Sequence, residues 1–232
     1  DGFYLNGEKY PMYGVCRHQD WWGIGSALKK ENHDFDLSMI MDIGATTVRF
    51  AHYQQSDYIY SKCDSLGLII WAEIPFVNRV STQEGPNAKQ QLVELIRQSF
   101  NHPSIYIWGL HNEVYSPTEY TSTLTKELND VAKTEDPDRY TGSVNGYGHM
   151  EHPVNLNAEV QGMNRYFGWY EKKIQDIKPW IENLETQYPT YKFMLTEYGA
   201  DANIGHQTEY LGESLNWGKP YYPETFQTKT HE

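Results

Sequence analysis

The sequence predicts an α/β chain in which strands and helices alternate along most of its length, arranged as an eight-unit barrel that stops before its last strand–helix unit. Three observations carry this. Apolar runs of four to six residues recur between stretches with helical spacing. Each helix returns the chain to a further strand, and the right-handed crossover rule then leaves a barrel or an open doubly wound sheet. No Gly-rich phosphate-binding turn opens any helix, which favours the barrel over the nucleotide-binding open sheet.

Residues 3–10 come first and read as a β-hairpin, because Asn6-Gly7 accepts the positive φ of a type I′ turn. A strand at about 12–16 leads into a Trp- and Gly-rich loop. A helix follows at about 35–43, with Phe35, Met39, Ile40 and Ile43 expected on its buried face. Thr46–Ala51 is the next strand, and a helix at about 56–66 should end at Gly67, a residue suited to the left-handed C-cap. Leu68-Ile69-Ile70-Trp71-Ala72 is a continuous apolar run, as in a strand buried on both faces. Leu92, Leu95, Ile96 and Phe100 give a helix at 88–100, and Ile105–Leu110 is the following strand. A helix at about 119–134, strands near 140–144 and 159–163, a helix at 171–187 and a strand at 192–196 complete seven strands. An eighth is expected outside the sequence. The whole of 1–232 is thus read as one domain, incomplete without its last strand–helix unit.

Composition narrows the function. The chain has 232 residues, 39% hydrophobic and 22% charged, which is enough for a globular core. A net charge of −12 argues against a nucleic-acid partner, since phosphate contacts demand Lys and Arg. No apolar run approaches the roughly 20 residues of a membrane span. Cys16 and Cys63 suggest neither a disulfide framework nor a metal motif, and both read as buried thiols. Aromatic residues make up 15%, with 19 Tyr and 7 Trp. Plain packing accounts for some of these; stacking on the apolar face of a sugar ring is the functional alternative.

In a barrel, reactive side chains sit at the C-terminal ends of the strands. That rule selects Arg17, His18, Asp20, His52, Glu73, His111, Asn112, Glu113, Asn145, Asn164, Tyr166 and Glu197. Glu113, in Gly109-Leu-His-Asn-Glu113, and Glu197, in Leu195-Thr-Glu-Tyr-Gly199, each directly follow an apolar run. Two such carboxylates facing each other suit glycoside cleavage, which with retention needs them about 5–5.5 Å apart. Glu73 reads equally well as a surface or helix-start charge. His18 and Asp20 line a pocket or brace a loop, and His111 points into packing. Trp21, Trp22 and Trp169 are stacking platforms or core residues. His149-Met-Glu-His152 lacks the spacing of a helical zinc motif, so no metal is expected there.

Asn101-His-Pro-Ser104 followed by Ile-Trp-Gly-Leu-His-Asn-Glu113 resembles the acid/base segment of the family 2 glycoside hydrolases, which include β-galactosidases, β-glucuronidases and β-mannosidases. Leu195-Thr-Glu-Tyr-Gly-Ala200 is similar to that family's nucleophile segment. Gly14-Val-Cys-Arg-His18, Thr47-Val-Arg-Phe-Ala-His-Tyr53 and Asp64-Ser-Leu-Gly-Leu68 match its first barrel strands in order. The resemblance covers nearly the whole chain and implies a (β/α)8 barrel without a cofactor. It implies a retaining exo-β-glycosidase working by double displacement through a covalent glycosyl-enzyme, with Glu113 as acid/base and Glu197 as nucleophile. By the same resemblance Asn112 binds the sugar 2-hydroxyl, His52 lines the sugar subsite, and the Tyr166 hydroxyl contacts the nucleophile. Asn164, His18, Asp20 and Trp169 are the remaining substrate-binding candidates. Arg17-His-Gln-Asp20 and Ala72-Glu-Ile-Pro-Phe76 look most like β-galactosidases, making a terminal non-reducing β-D-galactoside the leading substrate. Asn164-Arg-Tyr-Phe-Gly-Trp-Tyr170 looks like β-glucuronidases, the second choice. A carbohydrate-binding barrel without chemistry is the alternative of another class. As partners the resemblance implies a small glycoside or oligosaccharide and upstream β-sandwich domains of the same polypeptide, and it admits a homo-oligomer. A bacterial periplasmic or cytoplasmic location is expected on the same ground.

Overall fold

The computed structural model describes residues 2–209, 212–215 and 221–232, and the chain divides into two compact units, Asp1–Gly162 and Met163–Glu232. Among the described residues, the strands β3 (Gly14–Arg17), β4 (Thr47–Phe50), β5 (Ile69–Glu73), β6 (Ile105–Asn112), β7 (Tyr140–Asn145), β8 (Val160–Asn164) and β9 (Phe193–Glu197) follow chain order in one sheet. The fold is that of an α/β barrel with seven parallel strands preceded by a small hairpin.

In the first unit, β1 (Tyr4–Leu5) and β2 (Glu8–Lys9) pair antiparallel across Asn6 and Gly7, whose φ values of 54° and 85° are those of the expected type I′ turn. β3 to β7 are then parallel neighbours in order. The helices between them are α1 (Lys30–Asp42), α2 (Asp57–Leu66), α3 (Gly85–Ser99) and α4 (Glu119–Glu135), with the short α5 (Pro153–Leu156) after β7. Gly67 does close α2, at φ 72°. On one face of the sheet, Val48, Phe50, Ile70, Ala72, Trp108 and Leu110 join helix residues such as Leu37, Ile59, Leu92 and Leu128 in one apolar cluster. The opposite parity carries Arg49, Trp71, Glu73 and Gly109. A Cβ at Gly109 would come within 2.5 Å of the Trp71 indole nitrogen, and one at Gly142 within 2.3 Å of its ring. Those two glycines leave the space that the Trp71 side chain fills.

α1 turns to the core a face that shares only Ile40 with the one its apolar spacing predicts. Phe35, Met39 and Ile43 are exposed, while His33, Leu37 and Ile40 are buried. The reason is polar: buried Arg17 pairs with Asp36 at 2.6 Å and lies 3.0 Å from His33 Nδ1, drawing that side of the helix inward. Cys63 is buried as expected, but Cys16 is exposed, because it points away from the packed face of a short first strand.

In the second unit, a 3-10 turn (Ile174–Asp176) leads into α6 (Ile177–Gln187), and α7 (Glu224–His231) ends the chain. α6 starts six residues later than its periodicity predicts. Pro179 has no N–H and fits only a helix's first turn, which fixes the start near Ile177. Arg165 is held by Glu171 through two bonds of 2.6 and 2.7 Å, with its guanidinium 4.6 Å from the Trp180 ring centre. No described helix is long and apolar enough to cross a membrane.

Candidate active site

The strand ends of the first unit gather His52, Glu73, Asn112 and Glu113. β6 reaches them through an irregularity: its register with β7 shifts between Gly109 and His111. Leu110 joins the helix-side apolar cluster, and His111 also turns to that side, its Nε2 donating to the Val154 carbonyl at 2.9 Å. Asn112 then returns to the Arg49 face. A bulge therefore re-aims the strand just before its candidate site residues.

Arg49 is the hub of that face. It donates from Nε to Glu73 Oε2 (2.9 Å), and from Nη2 to Glu73 Oε1 (3.0 Å) and Asn112 Oδ1 (2.8 Å). Trp71 Nε1 donates to Glu73 Oε2 at 2.8 Å, and His52 Nδ1 lies 2.5 Å from Glu73 Oε1. Burial alone would raise the Glu73 carboxyl; the Arg49 charge and the bonds from His52 and Arg49 outweigh it and hold the group below its ordinary range. His18 packs edge-on against the His52 ring at 5.4 Å. Asp20 is exposed, and among the described residues no hydrogen bond joins it to this group. Trp22 is fully exposed, whereas Trp21 is anchored by Asp36 at 2.9 Å.

Glu113 adopts φ 51°, uncommon for a residue with a Cβ, with its N–H donating to Val144 O at 2.8 Å. The Tyr115 hydroxyl donates to Glu113 Oε2. Gly146 makes room for this side chain: a Cβ there would lie 3.0 Å from Glu113 Oε1. His152 serves structure, its Nδ1 accepting from Val154 N to cap α5. Among the described residues, no group of three or more His, Cys, Asp or Glu side chains could hold a metal ion.

The second unit assembles Asn164, Tyr166, Trp169 and Glu197. The Tyr166 hydroxyl donates to Glu197 Oε2 at 2.5 Å, and Arg165 N donates to Glu197 O at 2.9 Å. Asn164 is fully buried and accepts from the Thr196 hydroxyl at 2.8 Å. Trp169 stacks on Tyr170, ring centres 4.1 Å apart, with Tyr166 edge-on to both. The Trp169 indole N–H is buried and meets no acceptor among the described residues.

Arg49, Trp71, Tyr115 and Gly146 were not selected from the sequence, and Glu73 was selected only with a neutral reading. One signal was available: an arginine inside the strand run Thr47-Val48-Arg49-Phe50, all of it buried, demands a buried acceptor, and Glu73 ends the neighbouring strand.

A parallel α/β sheet with carboxylates and carboxamides at consecutive strand ends is the framework of a barrel glycosidase. The chain belongs to the glycosyl hydrolases of family 2: residues 1–215 match the family's TIM barrel domain. It is 39% identical to a β-glucuronidase of Bacteroides fragilis, a match spanning 99% of this chain and 34% of that protein. A crystal structure from Bacteroides fragilis, provisionally described as a β-galactosidase, superposes with a TM-score of 0.96 at 80% identity, over 100% of this chain and 34% of the other. Bacteroides uniformis β-glucuronidase 2, covalently bound to cyclophellitol-6-carboxylate aziridine, gives a TM-score of 0.90 at 30% identity, over 99% and 29%. The chain thus spans about a third of the length of these relatives.

Proposed function

We propose that this chain is the catalytic barrel domain of a longer polypeptide that hydrolyses terminal β-glycosides with retention. Glu197 attacks the anomeric carbon, displacing the leaving group, whose oxygen takes the Glu113 proton; Glu113 then draws a proton from water as it opens the glycosyl-enzyme ester. The observation that carries this reading is the Tyr166 hydroxyl on Glu197 Oε2, since a donor held on a carboxylate stabilises the charge a nucleophile needs. Asn112, anchored by Arg49, is the residue expected on the sugar 2-hydroxyl. His52, Asn164, His18, Asp20 and Trp169 are proposed to line the sugar site.

For the sugar, a β-D-glucuronide is favoured over the galactoside expected from the sequence. The 39% identity to a curated β-glucuronidase supports it, as does the likeness to a β-glucuronidase carrying a covalently bound carboxylate compound. The galactoside stays as the second reading, on the strength of the 80% identical Bacteroides fragilis structure.

The test is turnover of aryl β-glucuronide and aryl β-galactoside by the full-length polypeptide and by its Glu197→Gln variant. Turnover is expected to fall at least about 10³-fold in the variant, as when a covalent nucleophile is removed. Wild-type turnover in Glu197→Gln would remove the assignment and favour a binding barrel. Preference for galactoside in the wild type would change only the sugar.

A further inference from the structure

Glu73 is the last residue of β5, and its side chain is 0% exposed. Four contacts converge on its two oxygens: Arg49 Nε and Nη2 at 2.9 and 3.0 Å, Trp71 Nε1 at 2.8 Å and His52 Nδ1 at 2.5 Å. A buried ion pair is a poor device for stability alone, because well-packed apolar groups do as well or better. Its effect on its neighbours is more specific. A guanidinium has donors only, so the Asn112 atom facing Arg49 Nη2 at 2.8 Å is the carbonyl oxygen, and the amide nitrogen is set at the other end of the group. Arg49 Nη2 aims its hydrogens at Glu73 Oε1 and Asn112 Oδ1. The 3.2 Å approach of Nη2 to His52 Nδ1 therefore fits a ring whose Nδ1 carries a proton donated to Glu73. In the neutral ring that leaves Nε2 as an acceptor.

From this geometry we infer that Glu73 is a positioning residue for glycoside cleavage: without touching the sugar, it sets, through Arg49 and directly, which ends of Asn112 and His52 are presented to it. The inference rests on the function proposed above. It distinguishes Glu73 from a structural ion pair, whose loss would weaken all substrates alike.

Glu73→Gln keeps the size of the side chain but turns one acceptor into a donor that confronts Arg49 or His52. In the full-length polypeptide, kcat/KM for an aryl glycoside with its 2-hydroxyl is expected to fall roughly 10²-fold, against about 10-fold or less for the 2-deoxy analogue, which retains only the loss through His52. Glu73→Gln combined with Asn112→Ala should lose clearly less than the product of the two single losses, since the route through Arg49 and Asn112 can be lost only once. Equal losses on the two substrates, losses that multiply in the double variant, or an unchanged kcat/KM would overturn the inference. If the Gln variant does not fold, Arg49→Lys is read by the same substrate ratio, because one ammonium cannot reproduce the fork. A measurement on the wild type needs no positioning variant: 15N spectra of labelled histidine, with the His52 signal assigned by its loss in His52→Gln, should show the neutral ring protonated on Nδ1. Protonation on Nε2 would overturn the inference as well. Glu197→Gln is the control: if it stays active, the proposed function fails. If it is inactive while Glu73→Gln keeps the wild-type substrate ratio, only the positioning role fails.

Discussion

Glu113 occupies a left-handed backbone conformation, which disfavours a residue with a Cβ by roughly 1–2 kcal/mol. The bond from its N–H to Val144 O holds it there, and its carboxyl packs over Gly146. An added Cβ at Gly146 would sit 3.0 Å from Oε1 and 3.2 Å from Cδ, closer than ordinary contact, and the movable partner is the Glu113 side chain. Gly146→Ala is therefore expected to lower kcat by about 10-fold or more by displacing the proposed acid, with a melting temperature within a few degrees of wild type. Equal kcat, or a collapse of stability with it, would disprove this use of Gly146. The strand-end placement of Glu113, Glu197, Asn112 and Asn164 is legible in the sequence, because each closes or directly follows an apolar run; their roles, and that of Tyr166, are the ones proposed above. Arg49 and Tyr115 escape the strand-end rule, and Glu73 meets it only with an even reading, because what marks them is pairing across strands 24 residues apart in sequence, or a turn that folds a hydroxyl back onto Glu113. Hydrophobic periodicity carries neither kind of contact.

At the level of elements, strands were read well wherever both faces are apolar, as in β5, all of whose residues are buried. Helices were read well where the inward face is apolar, as Leu92, Leu95 and Ile96 show in α3. In α1 the apolar spacing predicts Ile40 correctly but misplaces Phe35, Met39 and Ile43, because the inward side includes His33, with neighbouring Asp36 held by a buried arginine, and a count of apolar residues misses both. The same kind of polar anchor fixes the C-terminal end of α4. Asp136, 1% exposed, accepts from the Trp108 indole of β6 at 2.9 Å and from the Arg139 guanidinium at 2.7 Å. Burial raises its carboxyl and these partners outweigh that, so it stays ionised. Asp136→Ala would leave the buried indole N–H unbonded and the guanidinium without its counter-charge, at a cost of roughly 3 kcal/mol. Urea unfolding of the variant measures it. A loss below about 1 kcal/mol would mean that water replaces the carboxylate.

Across the whole molecule, these buried charges and one buried imidazole set how the fold responds to acid. His111 is fully buried, its Nε2–H bonded to Val154 O and its Nδ1 with no partner among the described residues. Protonation would bury an unsatisfied N–H together with a charge, and burial pushes the group down to about 4. A histidine depressed in the folded state stabilises it fully above its unfolded value near 6.5. That contribution, about 3 kcal/mol for a shift of this size, drains away as the pH falls from about 6.5 to about 4. Glu73 and Asp136 are also held below their ordinary values, so their contribution is present above about pH 4 and is lost only below it. Acid should therefore weaken the fold in two stages, the imidazole first and the carboxylates second. His111→Gln keeps an amide donor near the Nε2 position and has no proton to gain in this range. It should be less stable than wild type at pH 7 by roughly 1–2 kcal/mol, yet lose far less between pH 6.5 and 4.5, so that the two stability curves converge as the pH falls. Urea unfolding at half-unit steps of pH tests this: parallel curves over that range would place the acid sensitivity elsewhere than His111.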